Sequence, residues 1–102
     1  MQEVYFDNGA TTKVDVRVAD VMYKAMTETY GNPSSLHSKG LEAERLVKAA
    51  RQTVADKLKA MPEEIIFTSG GSESNNLALL GSAAMFRTKG DIITSKVEHK
   101  SV

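Results

Sequence analysis

The stretch 65–76 most constrains how this chain can fold, because it changes within a few residues from strand chemistry to helix chemistry. Residues 65–68 are β-branched or aromatic, which favours a buried strand. Gly70-Gly71 then predicts a tight turn with positive φ. Ser72 is the predicted N-cap of a helix that continues to about Thr88.

A strand, a glycine-rich turn and a helix in this order direct free backbone N–H groups and a positive dipole end at an anion. We therefore predict a phosphate here, held by the N–H groups around Gly71, Ser72 and Glu73 and by the Ser72 hydroxyl. The stretch is not a Walker A loop, because no lysine follows the glycines, and it is not a GxGxxG motif. A plain connector of an α/β protein explains the same residues, so this stretch alone leaves both interpretations open.

Composition sets the frame: the chain has 102 residues, 41% hydrophobic and 25% charged, enough for one small domain at most. Lysine plus arginine and aspartate plus glutamate are 13 each, so no basic face for nucleic acid or membrane is predicted. The sequence has no cysteine, which excludes disulfide and thiolate chemistry within these residues. No signal peptide or membrane span is evident, and we expect a cytoplasmic protein.

Two helices are predicted ahead of the central stretch. Asp15 is the expected N-cap of the first, which continues to about Tyr30 with Gly31 as its C-terminal cap. The second is predicted over residues 41–61, where apolar residues recur at helical spacing. Turn-forming residues dominate the loops ahead of both helices, and His37 in the second loop is either a ligand contact or simply solvated.

A second strand, predicted over residues 91–95, completes a βαβ unit whose two strands should be parallel. The predicted fold class is therefore α/β, with a mostly parallel sheet between helices. Ligands of open α/β sheets bind outside the carboxyl ends of the strands, so His99 should share an edge with the phosphate turn. An imidazole there can stack on a phosphorylated aromatic ligand or carry a proton, and the alternative is a solvated loop histidine.

The sequence stops at Val102, directly after the second predicted strand. A two-stranded parallel unit cannot easily bury both of its faces, and the two preceding helices have no obvious partner. We therefore expect the chain to be the front part of a larger protein. Truncation, cleavage and a natural short product all remain open.

Four motifs succeed one another along the chain: YFDNGATT at 5–12, YGNPSSLH at 30–37, FTSGGSESNN at 67–76 and EHKSV at 98–102. In this order they resemble the N-terminal signatures of NifS/IscS-type cysteine desulfurases. These are pyridoxal-phosphate (PLP) enzymes of the class V aminotransferase group, with PLP fold type I. The NPSS loop favours this branch over the SufS/selenocysteine lyase-like branch.

The resemblance implies roles for three residues. Gly71 and Ser72 match the turn that binds the cofactor phosphate, where threonine is the more usual hydroxyl residue. His99 matches the histidine that stacks on the pyridine ring and takes part in proton transfer, so it is the predicted catalytic residue. Residues 1–64 would then be loops and helices bordering the active site, and residues 65–102 the start of the PLP-binding large domain.

The family converts L-cysteine to L-alanine and leaves the sulfur as a persulfide on an enzyme cysteine, for iron–sulfur clusters or other sulfur carriers. The resemblance also implies a homodimer and a sulfur-acceptor or Fe–S scaffold protein as partner. The Schiff-base lysine, the aspartate that pairs with the pyridine nitrogen and the persulfide cysteine lie further along the chain in the family. Lys100 comes directly after a histidine, as the Schiff-base lysine does, but its surroundings fit the ring-stacking motif. The 102 residues alone are therefore expected to be inactive.

Two other function classes remain open from the sequence. One is a different class V PLP enzyme, either an aminotransferase or a selenocysteine lyase. The other is a non-enzymatic interaction fragment that keeps this part of the fold without the activity. A cysteine in a downstream flexible loop would separate a desulfurase from an aminotransferase.

Overall fold

The computed structural model describes residues 3–86 and 90–102. Within them the chain forms helix α1 (Val16–Thr27), helix α2 (Ser38–Leu58), a 3₁₀ turn (Pro62–Glu64) and helix α3 (Gly71–Met85). The chain divides into two compact units, Met1–Pro62 and Glu63–Val102. The functional division predicted from the sequence, at residues 64 and 65, stays a prediction.

Helix α1 begins where the sequence predicts. The Asp15 carboxylate accepts a hydrogen bond from the Arg17 backbone N–H at 2.9 Å, which satisfies one of the free donors of the first turn. The helix ends at Thr27, ahead of the predicted Tyr30, and the Glu28 N–H donates to the Lys24 carbonyl at 2.8 Å. Gly31 is therefore not the cap of this helix, and the prediction was wrong on that point.

Helix α2 begins at Ser38, earlier than the predicted residue 41, because His37 caps it. The His37 Nδ1 accepts from the Gly40 backbone N–H at 3.3 Å. The helix ends at Leu58, before the predicted residue 61, where Lys59 adopts a left-handed conformation with φ 55°. The Ala60 N–H then reaches the Ala55 carbonyl at 3.0 Å, which closes the last turn in the manner of a Schellman motif.

Lys39 ties the end of α1 to the start of α2. Its ammonium donates to the Glu28 carbonyl and to the Glu42 carboxylate, both at 3.2 Å, and lies 5.8 Å from the centre of the Tyr30 ring. The connection is also tight: a Cβ on Gly31 would overlap the Lys39 carbonyl oxygen, and one on Gly40 would overlap the Ser35 carbonyl oxygen. Glycine is needed at both positions because backbone approaches backbone there.

The buried residues of helix α2 are small. Gly40, Ala43 and Ala55 are the buried residues of α2. The larger members of the apolar stripe predicted on this helix stay accessible, with Val47 and Val54 each 38% exposed and Leu58 67% exposed. The described residues therefore cover α2 at positions near its two ends and leave its apolar stripe accessible.

The predicted sheet is not confirmed. In the part of the chain that the structure describes, no strand is assigned, either at 65–68 or at 91–95. β-Branched residues favour an extended chain, but a strand also needs a neighbour that supplies a ladder of hydrogen bonds. The predicted end of α3 at Thr88 lies outside the described residues, where the helix is observed to Met85.

Candidate cofactor-phosphate site at the start of α3

The start of α3 differs from the prediction in two respects. Its N-cap is Gly70, which makes no side-chain cap hydrogen bond, so Ser72 lies inside the first turn and is not the cap. Gly70 is extended, with φ 165° and ψ −179°, and no described glycine has a φ in the left-handed region. The turn therefore needs no left-handed residue, because an extended Gly70 already leads directly into the helix.

Four donors are left at this helix start. The first backbone hydrogen bond of the turn runs from the Ser74 N–H to the Gly70 carbonyl at 3.1 Å, which leaves the N–H groups of Gly71, Ser72 and Glu73 ahead of it. Within the described residues these three groups and the Ser72 hydroxyl have no acceptor. A Cβ built on Gly70 or Gly71 would meet no atom within 4 Å, so there is open space beside these two residues.

The one carboxylate of the first turn is already engaged. The Glu73 carboxylate accepts from the Ser69 hydroxyl at 2.7 Å and from the Ser69 backbone N–H at 2.6 Å. The side-chain hydrogen bond first, and the backbone one second, lower the pKa of Glu73. Glu73 therefore stays ionised while its oxygen is held by Ser69, and it does not occupy the free donors of Gly71 and Ser72.

The hydroxyl groups of Thr68 and Ser74 also make hydrogen bonds within the turn. The Thr68 and Ser74 hydroxyl oxygens lie 2.7 Å apart, and each is 3.2 Å from the Gly70 carbonyl oxygen. Together with the Ser69–Glu73 pair, they fix the backbone on both sides of Gly70. The donors at the helix start are thus presented by a turn that is bonded to itself.

His99 lies in the loop after residues 91–95, and its ring is connected to α3. Its Nδ1 accepts from the Ser101 backbone N–H at 3.2 Å and lies 2.8 Å from the Ser101 hydroxyl oxygen. That oxygen accepts from the Asn75 side-chain amide of α3 at 2.9 Å. The sequence predicted that the turn and His99 lie near each other, and it missed Asn75 and Ser101, the residues that connect them.

The loops of the first unit make several hydrogen bonds within themselves. In residues 32–37, the Asn32 side chain accepts from the Ser34 N–H at 2.9 Å, and His37 caps α2. In residues 7–12, the Ala10 N–H donates to the Asp7 carbonyl at 3.1 Å and the Thr12 hydroxyl to the Asn8 carbonyl at 3.2 Å. His37 thus caps α2 and is exposed to solvent, as one of the two alternatives from the sequence expected; a ligand contact of this residue stays a prediction.

Comparison with known proteins decides the family. Residues 4–102 match the sequence profile described as Aminotransferase class-V. The chain belongs to this family. This class V chain is 52% identical over 101 residues to the cysteine desulfurase IscS of Neisseria meningitidis serogroup C / serotype 2a, covering 97% of the chain and 25% of that relative. A mitochondrial cysteine desulfurase of Eremothecium gossypii is also 52% identical, with 97% of the chain and 21% of the relative covered.

A solved structure gives the same result at the level of the fold. The class V chain superposes on a NifS-like protein with a TM-score of 0.86 and 46% sequence identity, over 98% of this chain and 28% of that one. The resemblance predicted from the four motifs is therefore confirmed. The chain spans about a quarter of the length of the curated relatives it matches, 25% for the IscS of Neisseria meningitidis. In residues 3–86 and 90–102, no helix is long and apolar enough to cross a membrane.

Proposed function

We propose that this chain forms the phosphate-binding turn and one wall of the PLP site of a cysteine desulfurase. The observation that carries the proposal is the start of α3, where three backbone N–H groups and the Ser72 hydroxyl have no acceptor within the described residues. The names of the relatives support the choice of reaction, since both described above are cysteine desulfurases.

The donor set fits a phosphate. A dianion needs several hydrogen-bond donors and positive potential, and a helix N-terminus supplies both. The Glu73 carboxylate accepts from Ser69 and so leaves the N–H groups of Gly71 and Ser72 to the phosphate. Gly71 and Ser72 are the residues that would hold the phosphate, through their N–H groups and the Ser72 hydroxyl. Once bound, PLP supplies an electron sink for reactions of amino acids.

His99 is the proposed catalytic residue of this segment. Its ring is exposed, and the only hydrogen bonds that it makes within the described residues are at Nδ1, so Nε2 is available to a ligand. The flat imidazole can cover the face of an aromatic cofactor, and it can exchange a proton near neutral pH. The Ser101–Asn75 connection to α3 supports a fixed position for this ring relative to the phosphate turn.

The proposed reaction transfers sulfur from L-cysteine to a cysteine thiol of the enzyme, which yields L-alanine and an enzyme persulfide. The sulfur then passes to an acceptor or Fe–S scaffold protein, and the whole protein acts as a homodimer. These 102 residues contain no cysteine, so by themselves they are expected to release no alanine. The cytoplasmic location also stays a prediction.

The test supplies L-cysteine and PLP to the full-length protein and measures alanine together with thiol-bound sulfur. A desulfurase forms them in equal amounts, before any reductant releases sulfide. The 102-residue segment is the control and should not exceed free PLP. Borohydride trapping on Lys100, located by peptide mapping, would show that this lysine links the cofactor after all.

The competing functions give different products in the same assay. An aminotransferase would consume a keto acid and form a new amino acid without releasing sulfur, and a selenocysteine lyase would use selenocysteine far faster than cysteine. A folded full-length protein that binds no PLP would support the non-enzymatic interaction fragment. Any of these three results would remove the desulfurase proposal.

A further inference from the structure

We propose that Asn75 and Ser101 are positioning residues that hold the proton of neutral His99 on Nε2. The basis is a chain of three hydrogen-bonding groups, the Asn75 amide, the Ser101 hydroxyl and the His99 ring, with distances of 2.9 Å and 2.8 Å between successive atoms. The function proposed above uses Asn75 and Ser101 only to fix the position of the His99 ring and assigns them no effect on its protons. The expected effect of His99 on a bound cofactor rests on that proposed function, whereas the position of the proton on the His99 ring does not.

One group sets the direction of this series of hydrogen bonds, because it can act only as a donor. The Ser101 backbone N–H can only donate, and it lies 3.2 Å from His99 Nδ1, so Nδ1 must present its lone pair. The neutral ring therefore carries its proton on Nε2. The Ser101 hydroxyl, at 2.8 Å from the same Nδ1, then also donates to it.

The same reasoning fixes the orientation of Asn75. A hydroxyl has one proton, and the Ser101 proton is directed to the ring, so its oxygen must accept the remaining hydrogen bond. The Asn75 Nδ2, at 2.9 Å, supplies that bond. Every group thus has one role, with the amide donating to the hydroxyl and the hydroxyl donating to the imidazole.

The surroundings make this arrangement more than a surface contact. Asn75 and Ser101 are half-buried, whereas the His99 ring is exposed. Hydrogen bonds that are partly shielded from water hold their geometry better than fully solvated ones. The Asn75 end of this series of hydrogen bonds is on α3. The same helix carries the free donors of Gly71 and Ser72, so one helix positions both the phosphate turn and the ring.

The tautomer limits which proton transfers His99 can perform at the proposed PLP site. With Nε2 protonated, neutral His99 offers a ligand a hydrogen-bond donor at that nitrogen. It cannot accept a proton at Nε2 in this form. Asn75 and Ser101 therefore bias neutral His99 toward donating a hydrogen bond, and away from acting as a general base, at Nε2.

The test reads the ring directly. Histidine labelled with ¹⁵N in the full-length protein, with and without PLP, is examined by long-range proton–nitrogen correlation at a pH where histidine is neutral. We expect His99 to show an acceptor-type Nδ1 and a protonated Nε2. His37, whose Nδ1 accepts from Gly40, is the internal reference and should show the same pattern in every variant.

Asn75→Asp is the decisive variant, because a carboxylate at this position can only accept from Ser101. The hydroxyl would turn toward the carboxylate, which leaves the Ser101 backbone N–H as the single donor to Nδ1, so the Nδ1 signal of His99 should move away from the hydrogen-bonded acceptor position. Asn76→Asp is the matched control: it adds the same charge one residue later, but the Asn76 amide bonds the Ser72 carbonyl at 2.8 Å and not Ser101. This control should leave the His99 signals in place.

Ser101 provides the second pair of variants. Ser101→Ala removes the hydroxyl and should reduce turnover by about two- to tenfold, the effect of one neutral hydrogen bond. Ser101→Thr keeps the hydroxyl and should restore both turnover and the Nδ1 signal. A His99 protonated on Nδ1 in the unchanged protein, or an Asn75→Asp protein whose Nδ1 signal stays in place, would overturn the inference.

The two proposals fail differently. If the ring signals behave as expected but no alanine forms from cysteine, the proposed function fails and the control of the tautomer stands. If alanine forms normally and the His99 signals do not respond to Asn75→Asp, this inference fails and the proposed function stands. Ser101→Ala gives an independent measurement of the ring should Asn75→Asp not fold.

Discussion

The starts of α2 and α3 make an instructive comparison, because both come after a polar, glycine-containing loop. At α2 the chain satisfies its own helix: His37 accepts from the Gly40 N–H, and Gly31 and Gly40 lie where no Cβ fits. At α3 the cap is a glycine without a side-chain bond, and the space around Gly70 and Gly71 is open. One helix start is closed by its own residues, and the other is left uncapped by any side chain.

The two histidines repeat this difference. His37 and His99 both use Nδ1 to accept a backbone N–H, at 3.3 Å and 3.2 Å. In His37 that bond caps a helix. In His99 it orients a ring on a loop, and in both rings Nε2 makes no hydrogen bond within the described residues. A polar loop before a helix is therefore a candidate site only when its own side chains do not fill the helix start.

The largest effect is expected from His99→Gln. Glutamine keeps hydrogen bonding but cannot act as an acid or base near neutral pH, so turnover should fall by a factor of about 10²–10⁴ while PLP stays bound. Alanine formation gives the rate, and cofactor absorbance shows whether PLP is retained. Near-normal turnover with bound PLP would make His99 a structural residue, like His37, and erase the contrast between the two.

Ser72→Ala tests the open helix start itself. The loss of one charge-assisted hydrogen bond, about 1.5–3 kcal/mol, should weaken PLP binding by about 10- to 150-fold. Ser74→Ala is the matched control, because the Ser74 hydroxyl already lies 2.7 Å from that of Thr68. That variant should lower stability more than cofactor affinity, as measured by PLP titration and urea unfolding. Equal PLP affinity in Ser72→Ala and the unchanged protein would argue against the phosphate assignment.

The free energies of unfolding of Gly40→Ala and Gly71→Ala test whether the start of α2 is closed and the start of α3 is open. The new Cβ at residue 40 would overlap the Ser35 carbonyl oxygen, so the free energy of unfolding should fall by about 1–3 kcal/mol. At residue 71 the Cβ meets nothing, and the change should stay within about 0.5 kcal/mol. Urea midpoints of the full-length variants give both values, and similar losses at the two sites would contradict the comparison.

His37→Ala should cost about 1 kcal/mol of stability, the usual effect of losing a helix cap. The reason is that the Gly40 N–H loses its acceptor, Nδ1 of His37. His37→Asn offers the matched control, since asparagine is a good N-cap and should recover much of the loss. If both variants unfold at the same urea concentration as the unchanged protein, then His37 does not stabilise α2.

The smallest effect concerns pH. The pKa of Glu73 is lowered by its hydrogen bonds to Ser69, so its contribution to stability is present above the ordinary glutamate range and is lost as the pH falls through the lowered pKa. Glu73→Gln should flatten that part of the acid unfolding curve. Asp15, whose pKa is lowered by Arg17, provides the same test at the start of α1. An unchanged acid profile in Glu73→Gln would mean that the Ser69 contacts do not stabilise the turn.

Local chemistry was sufficient to predict part of this structure. Asp15 was predicted to cap α1, and it does so, because a carboxylate next to a helical stretch has its acceptor within reach of the second N–H. All three helices were predicted, although their ends differ by a few residues. Ends are decided by caps, and His37 was not predicted as one, because histidine is an uncommon acceptor at that position.

At the candidate site the same limits apply. The sequence placed an anion site at Gly71 and Ser72, and the structure leaves their donors free. It wrongly made Ser72 the cap, because a serine after two glycines satisfies the local cap pattern as well as Gly70 does. The role of His99 stays a prediction, since no ligand contact tests it.

The sequence by itself determined the family, the three helices and the position of the glycine-rich turn, because each depends on residues that are close together along the chain. Only the tertiary structure decided which helix start is closed and which is open, and that Asn75 reaches Ser101, 26 residues away. Hydrogen bonds over such distances depend on the path of the chain between the two groups. Residue types and local spacing carry no direct record of that path, so Asn75 and Ser101 could be recognised as partners only once the chain was folded.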